Sequence, residues 1–233
     1  MYKQNPSSGS EEDFSLYQRK RAIIFANGLL NHPKAADKVI QEGDIIVAAD
    51  GGAAHCQRLG ITPHVLIGDM DSLSAAELST LEDEGVQIIR HPAHKDYTDL
   101  ELALAHVRDA DIREVLVFGG LGERWDQTLA NLLLPLAIEF KDMHIRHLDG
   151  PQEVIVLRPG KHHQVNGQAG DTLSLVPLAG DASGVSTSGL QFPLNGETLY
   201  FGSSRGISNV FERTAATIEL EDGLLICIVI HTE

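Results

Sequence analysis

Short apolar runs alternate with amphipathic stretches through the first two-thirds of the chain. Arg21 to Gly28 reads as a buried strand ending in a glycine turn. Asp44 to Ala49, Val65 to Ile67, Val86 to Arg90, Glu114 to Phe118 and His144 to Leu148 repeat the pattern. Continuous apolar runs of this length suit strands covered on both faces. Between them the spacing predicts helices over 34–41, 53–59 and 75–85, another from Asp96 or Thr98 to about Ala110, and one over 126–140. Gly60 stops the second and Ser74 caps the third. Such alternation is the signature of a parallel sheet with helices on both faces.

After Asp149-Gly150-Pro151 the pattern changes. Strand-like runs at 153–157, 161–165, 172–176, 184–188, 197–201, 214–220 and 224–231 follow, separated by turn residues and without an amphipathic helix. That spacing reads as an antiparallel β-sandwich. The expected fold class is α/β: an N-terminal, mostly parallel α/β/α sheet domain over 21–149, then a C-terminal antiparallel β-sandwich over 150–233. Residues 1–20 read as a flexible or helical extension.

In a parallel sheet the strand tips form one rim, where ligands bind. Asn27-Gly28, Asp50-Gly51-Gly52, Gly68 to Asp71 and Gly119-Gly120 are expected there. The segment Gly68-Asp69-Met70-Asp71-Ser72-Leu73 carries two carboxylates that repel unless a cation lies between them. The plainer reading is a polar loop in which Asp71 or Ser72 caps the next helix. Asp50 and the cluster Lys95-Asp96-Tyr97-Thr98-Asp99 add acids at the same rim. Capping accounts for Asp96 or Thr98 but not for the clustering. Several acids around a sheet rim would suit Mg²⁺ bridging a nucleotide triphosphate.

Gly51-Gly52 and Gly119-Gly120-Leu121-Gly122 let backbone approach a bulky ligand. No GxxxxGK[ST] or GxGxxG occurs, which disfavours P-loop kinases and ordinary dinucleotide dehydrogenases. Arg124 could fork onto a phosphate or pair with Asp126, which could itself cap a helix. Trp125 is assigned to packing. His55, His64, His91, His94 and the His162-His163 pair lack zinc-ligand spacing and read as surface or satisfied core residues; there is no GxSxG. In the second half, Val185 to Leu194 and Gly202 to Asn209 place small polar residues beside an aromatic, which suits a flat heteroaromatic ligand. Spacing alone favours Phe192 in the core.

The 233-residue chain has a net charge of −15, which gives no pull toward nucleic acid or anionic lipid. Cys56 and Cys227 form no CxxC and are expected as reduced, buried thiols. No run of 18 apolar residues predicts a membrane span, and the N-terminus lacks the apolar core of a signal peptide. A cytoplasmic protein with no membrane or nucleic-acid partner is the expectation.

Taken in order, these motifs resemble the thiamine pyrophosphokinase family. The segments are Ala49-Asp50-Gly51-Gly52, Gly68 to Leu73, Lys95 to Asp99, Arg124-Trp125-Asp126-Gln127, Thr187-Ser188-Gly189-Leu190-Gln191-Phe192 and Ser208-Asn209. The resemblance implies an α/β catalytic domain and a thiamine-binding β-sandwich, working as a homodimer with the active site shared across the interface. It implies transfer of pyrophosphate from MgATP to the thiamine hydroxyl, giving thiamine diphosphate and AMP. Asp50, Asp69, Asp71 and Asp99 would be the catalytic acids around Mg²⁺ and the phosphates. Asp69, Asp71 and Asp99 are the implied metal ligands, with Asp50 as an alternative to Asp99. Either Asp99 or Asp71 would orient the hydroxyl or take its proton. Gly51, Gly52, Lys95, Asp96, Thr98, Arg124, Asp126 and Gln127 would bind ATP. Thr187, Ser188, Gly189, Leu190, Phe192, Ser208 and Asn209 would bind thiamine. The chain departs from the family at Phe192, where Trp is usual, and at Glu123, where Gly-Gly-Arg becomes Gly122-Glu123-Arg124. A pyrophosphokinase for another small alcohol, such as a hydroxymethylpterin, and a non-enzymatic nucleotide or thiamine diphosphate sensor are the alternatives.

Overall fold

The computed structural model describes residues 21–122 and 124–232. The N-terminal extension and Glu123 lie outside the described residues. Strands β1 (Arg21–Phe25), β2 (Ile45–Ala49), β3 (Val65–Gly68), β4 (Gln87–Arg90), β5 (Glu114–Phe118) and β6 (His144–Asp149) form a parallel array in the order β4-β3-β2-β1-β5-β6. Side chains alternate across the pleat, so a continuous apolar strand feeds two cores. Ile24, Val47, Ile67 and Val117 face one side and pack with Leu100, Leu104 and Val107 of α4 (Asp99–Asp109). Phe25, Ile46, Leu66 and Phe118 face the other. There they meet α1 (Pro33–Val39), α2 (Ala53–Leu59) and α3 (Ala75–Asp83) through Ala36, Cys56 and Leu78. Phe25 and Phe118 are register partners whose rings stack at 5.5 Å.

The helix boundaries follow local chemistry. Gly60 ends α2 in the left-handed region (φ 68°). Ser74 and Glu77 form a reciprocal capping box on α3. Thr98 accepts the Glu101 N–H and caps α4. The helix expected over 126–140 is shorter: α5 is Trp125–Leu133. Pro135 removes an amide donor, and the chain continues as two 3₁₀ turns.

Beyond β6 the sheet does not stop. A tight turn at Gly150 joins β6 to the antiparallel β7 (Gln152–Leu157). From there the order runs through β13 (Asp222–Ile230), β9 (Thr172–Ser188), β12 (Ala215–Glu219) and β8 (His163–Asn166). β10 (Glu197–Leu199) and β11 (Asn209–Val210) add to β9. The runs expected at 172–176 and 184–188 are one 17-residue strand. Pro177, Gly180 and Gly184 bend it, yet its pairing with β13 continues past the bend with one register shift. Thus β9 passes from one layer to the other around a separate core that includes Leu173, Leu175, Phe211, Ile218 and Leu225. A parallel array followed by antiparallel strands bears out the expected fold class.

Both cysteines are free and buried. Burial pushes the Cys56 thiol up to about 12. Among the described residues no helix is long and apolar enough to cross a membrane.

Candidate active site

Strand order decides where the site lies. The chain winds from β1 outward to β4, then returns to place β5 on the other side of β1. The winding therefore reverses between β1 and β5, and the carboxyl ends of those strands diverge to open a crevice. A cleft of about 740 Å³ occupies that position. Asn27, Gly28, Gly119, Gly120, Lys95 and Asp99 are among its lining residues.

The cleft wall depends on backbone contacts too close for side chains. Gly28 N–H donates to the Gly119 carbonyl at 2.8 Å. Gly119 sits at φ +65°, and a Cβ there would stand 2.5 Å from the Ala26 carbonyl oxygen. At Gly51 a Cβ would meet Asn27 Oδ1 at 2.1 Å, so Gly51 makes room for the asparagine side chain. Burial lowers the His55 pKa, which keeps the ring neutral. Its Nε2 then donates to the Gly28 carbonyl at 2.7 Å while Nδ1 accepts from Arg58. His55 is a satisfied core histidine, as expected, and it braces the rim.

Asp50, Asp69 and Asp71 converge at the tips of β2 and β3. One oxygen from each can be chosen so that all lie within 4.8 Å of one another. Asp50 follows β2 in a left-handed conformation (φ 45°), and Met70 is also left-handed (φ 66°). Non-glycine residues pay for that conformation in strain, and such residues cluster at functional sites. Burying Met70 in the core beneath explains the second case: it pins the loop, so that Asp69 and Asp71 flank an anchored residue. Asp50 is only 7% exposed and accepts a hydrogen bond from Ser72 Oγ at 3.0 Å. Asp71 N–H donates to Asp69 Oδ1 at 3.1 Å. The Asp71 pKa is raised, first by the charge of Asp69 and then by that of Asp50. Three oxygen donors that repel one another fit a hard divalent cation such as Mg²⁺. Capping of α3 falls to Ser74, which leaves Asp71 and Ser72 to the rim.

Of the two residues expected to join Asp69 and Asp71, Asp50 is the one in the cluster. Asp99, at the start of α4, pairs with Lys95 Nζ at 2.6 Å, four residues earlier in the loop before the helix. Lys95, Thr98, Asp99, Arg124, Asp126 and Gln127 all line the cleft with Asp69, whereas Gly51, Gly52 and Asp96 do not. Gly52 starts α2 and is buried; Asp96 is exposed. Arg124 pairs with Asp126 across the start of α5, and both are exposed. Trp125 is not packed in the core: it is 76% exposed, because the opposite face of α5 turns toward the cleft.

That face carries two residues the sequence reading missed. Thr128 Oγ1 donates to the Gly122 carbonyl and accepts its N–H, and Asn131 Nδ2 donates to the Gly120 carbonyl at 2.7 Å. The polar stripe 124, 127, 128 and 131 at helical spacing, opposite apolar 125, 129 and 133, was the available signal.

The candidate residues of the second half fall into two groups. Phe192 and Asn209 line a small cavity of about 60 Å³ with Leu173, Arg205 and Ile207. Phe192 is 55% exposed rather than in the core. The Asn209 amide explains this: it accepts the Phe192 N–H and donates to the Phe192 carbonyl, holding the backbone so that the ring projects. Ser208 is left-handed (φ 60°) and donates its N–H to Ser174 Oγ. The others are scaffold. Thr187 is buried and accepts the Leu194 N–H, Leu190 is buried, and Gly189 lies against the Ala215 carbonyl. Ser188 is exposed at the end of β9.

Switch-point cleft, converging acids and a separate β half mark an α/β protein with a candidate ligand site at the sheet rim. Family models match both halves. One is described as "Thiamin pyrophosphokinase, catalytic domain" over residues 36–147, the other as "Thiamin pyrophosphokinase, vitamin B1 binding domain" over 162–225. The chain belongs to the thiamine pyrophosphokinase family. It is 27% identical over 209 residues to a thiamine pyrophosphokinase of Bacillus subtilis, spanning 90% of this chain and 98% of the relative. It is 27% identical over 228 residues to thiamine pyrophosphokinase 1 of Arabidopsis thaliana, spanning 88% and 84%. The crystal structure of the Bacillus subtilis thiamine pyrophosphokinase superposes with a TM-score of 0.81 at 25% identity, covering 92% of this chain and 100% of that one. The Candida albicans enzyme shares the fold, with a TM-score of 0.72 at 17% identity, covering 93% and 91%.

Proposed function

We propose that this enzyme transfers the terminal pyrophosphoryl group of ATP to the hydroxyl of thiamine, giving thiamine diphosphate and AMP. The observation that carries the reading is the carboxylate cluster Asp50, Asp69 and Asp71 beside a glycine-walled cleft in a chain of this family. Those three residues would hold Mg²⁺. When bound, the ion supplies positive charge that offsets phosphate oxygens in a chain carrying −15.

The chain's own groups then position the reactants. The Asn27-Gly28 and Gly119 to Gly122 backbones admit the nucleotide closely. Lys95 and Arg124 face the phosphates. Asp99, held by Lys95, orients the thiamine hydroxyl for in-line attack on the β-phosphorus with AMP leaving. Little covalent chemistry falls to the protein in such a transfer; positioning and charge do most of it.

Residues 21–149 form the catalytic unit in this reading and 150–233 the thiamine-binding unit. The cavity beside Phe192 and Asn209, about 60 Å³, has roughly the volume of two waters and cannot enclose a two-ring ligand. A second copy closing over it completes the subsite, which supports a homodimer with shared sites. Exposed Tyr200, Phe201 and Ile207 in the same half fit that contact. Two buried free thiols fit a reducing compartment, the cytoplasm.

A panel of acceptors with MgATP, scored by AMP release, tests the proposal. Thiamine should be preferred at least about a hundredfold in kcat/KM over a hydroxymethylpterin, since unpaired polar groups in a mismatched pocket cost that much or more. Equal rates with both, or no AMP with either, would overturn it.

A further inference from the structure

A separate cavity, about 300 Å³, opens at the other end of the parallel strands. Its walls are the starts of β5 and β6, the turn before β6, the end of β7 and the approach to β8. Arg113, Lys141, Arg158 and Lys161 line it, with His144 and His163 between them. Glu114 and Asp142 are the acids among its lining residues. In a chain of net −15, a cavity with four permanent cations and two acids is a local reversal of the field.

Three of the four cations have no ion-pair partner among the described residues. Arg158 is fixed by one N–H donated to the Pro135 carbonyl at 2.6 Å, which leaves the rest of its fork available. Arg113 pairs with Asp111. Among the described residues, the Lys141 and Lys161 ammonium groups have no hydrogen-bond or ion-pair partner; one stands in the turn before β6 and the other in the loop after β7. Like charges facing one cavity repel in the absence of an anion and are neutralised by one.

We infer that this groove is an anion site for a small molecule bearing a di- or triphosphate chain. Cations contributed by three separate segments suit a ligand with charge at more than one point. The volume lies at the lower end of small-molecule pockets and suits a short chain of phosphates. The site is distinct from the rim: β5 starts at the groove and ends at the cleft, about 13 Å away at ~3.3 Å per residue.

Titration calorimetry of the full chain with inorganic tripolyphosphate in EDTA tests this. Without a divalent ion the rim presents three carboxylates and repels the anion, so binding there is suppressed. One saturable site is expected, weakened at least about tenfold in Lys141→Ala/Lys161→Ala by loss of two charge-assisted contacts. The rim variant Lys95→Ala, which removes a cation from the cleft and leaves the carboxylates in place, should bind as the wild type does. ADP run in parallel separates a groove that reads only the phosphate chain, with equal affinity, from one that also grips a nucleoside, with tighter ADP. The inference is overturned if the wild type shows no saturable binding up to about 10 mM, or if Lys141→Ala/Lys161→Ala binds unchanged. It is equally overturned if the rim variant, rather than the groove variant, alters the affinity.

Discussion

Asp71→Asn separates a metal clamp from a polar loop, because the two readings give opposite signs without ligand. In the folded chain the Asp71 pKa is raised by Asp69 and Asp50, so its ionised form is disfavoured by folding. Stability from this group is therefore present at low pH and lost as pH rises through the raised pKa. Removing the charge at pH 7 should leave the melting temperature in EDTA equal to or above that of the wild type. Mg²⁺ reverses the order. A metal at a hundred times its Kd stabilises by about 2.7 kcal/mol, which for a chain of this length is roughly 5–11 °C. Loss of a group that merely orients a metal ligand costs 10–100-fold in affinity, so losing a ligand should cost at least about 100-fold. At the same Mg²⁺ concentration the variant's shift then shrinks to roughly 1 °C. Thermal melts with and without Mg²⁺ read this directly, and turnover with thiamine should fall by at least about two orders of magnitude. A variant that melts several degrees lower in EDTA, or keeps the full Mg²⁺ shift, would refute the clamp.

Other consequences can be checked independently. Asn209→Ala removes both hydrogen bonds that present Phe192, and should raise the KM for thiamine about tenfold while leaving the KM for ATP within a factor of about two. Steady-state kinetics with each substrate varied decides it. Asp171 is buried; burial alone would raise its pKa, but donors from Thr232, His231 and Gln168 outweigh that and hold it at about 2. Its contribution is therefore full above about pH 4 and lost as pH falls toward 2. Asp171→Ala should lower the melting temperature at pH 7 by roughly 5–12 °C, with the difference shrinking below pH 4. Cys56 and Cys227 should react with a thiol reagent only as fast as the chain unfolds, since both are buried and burial raises both pKa values.

The parallel half was legible because its buried strands are continuous apolar runs and three of its helices carry their own stop or cap: Gly60 for α2, Ser74 for α3 and Thr98 for α4. Its rim could be foreseen because strand polarity puts all carboxyl ends together. The partners within the rim could not. Asp50, Asp69, Asp71 and Asp99 look alike in sequence, and only the fold assigns Asp99 to Lys95 in the loop before α4 and Asp50 to the loop after β3. The end of α5 was misjudged where Pro135 interrupts an otherwise helical pattern. In the β half, Pro177 and Gly180 look like the end of a strand, yet β9 bends and continues because β13 keeps pairing with it. Phe192 looked like core because apolar character is visible in a sequence, whereas a backbone clamp by Asn209 is not.

The central claim is attack at the β-phosphorus of ATP by thiamine. The most direct measurement is phosphorus NMR of the products from MgATP and thiamine with the purified chain. Thiamine diphosphate and AMP should accumulate in equal amounts, with no ADP. Formation of ADP with thiamine monophosphate, or of AMP without thiamine diphosphate, would contradict the account.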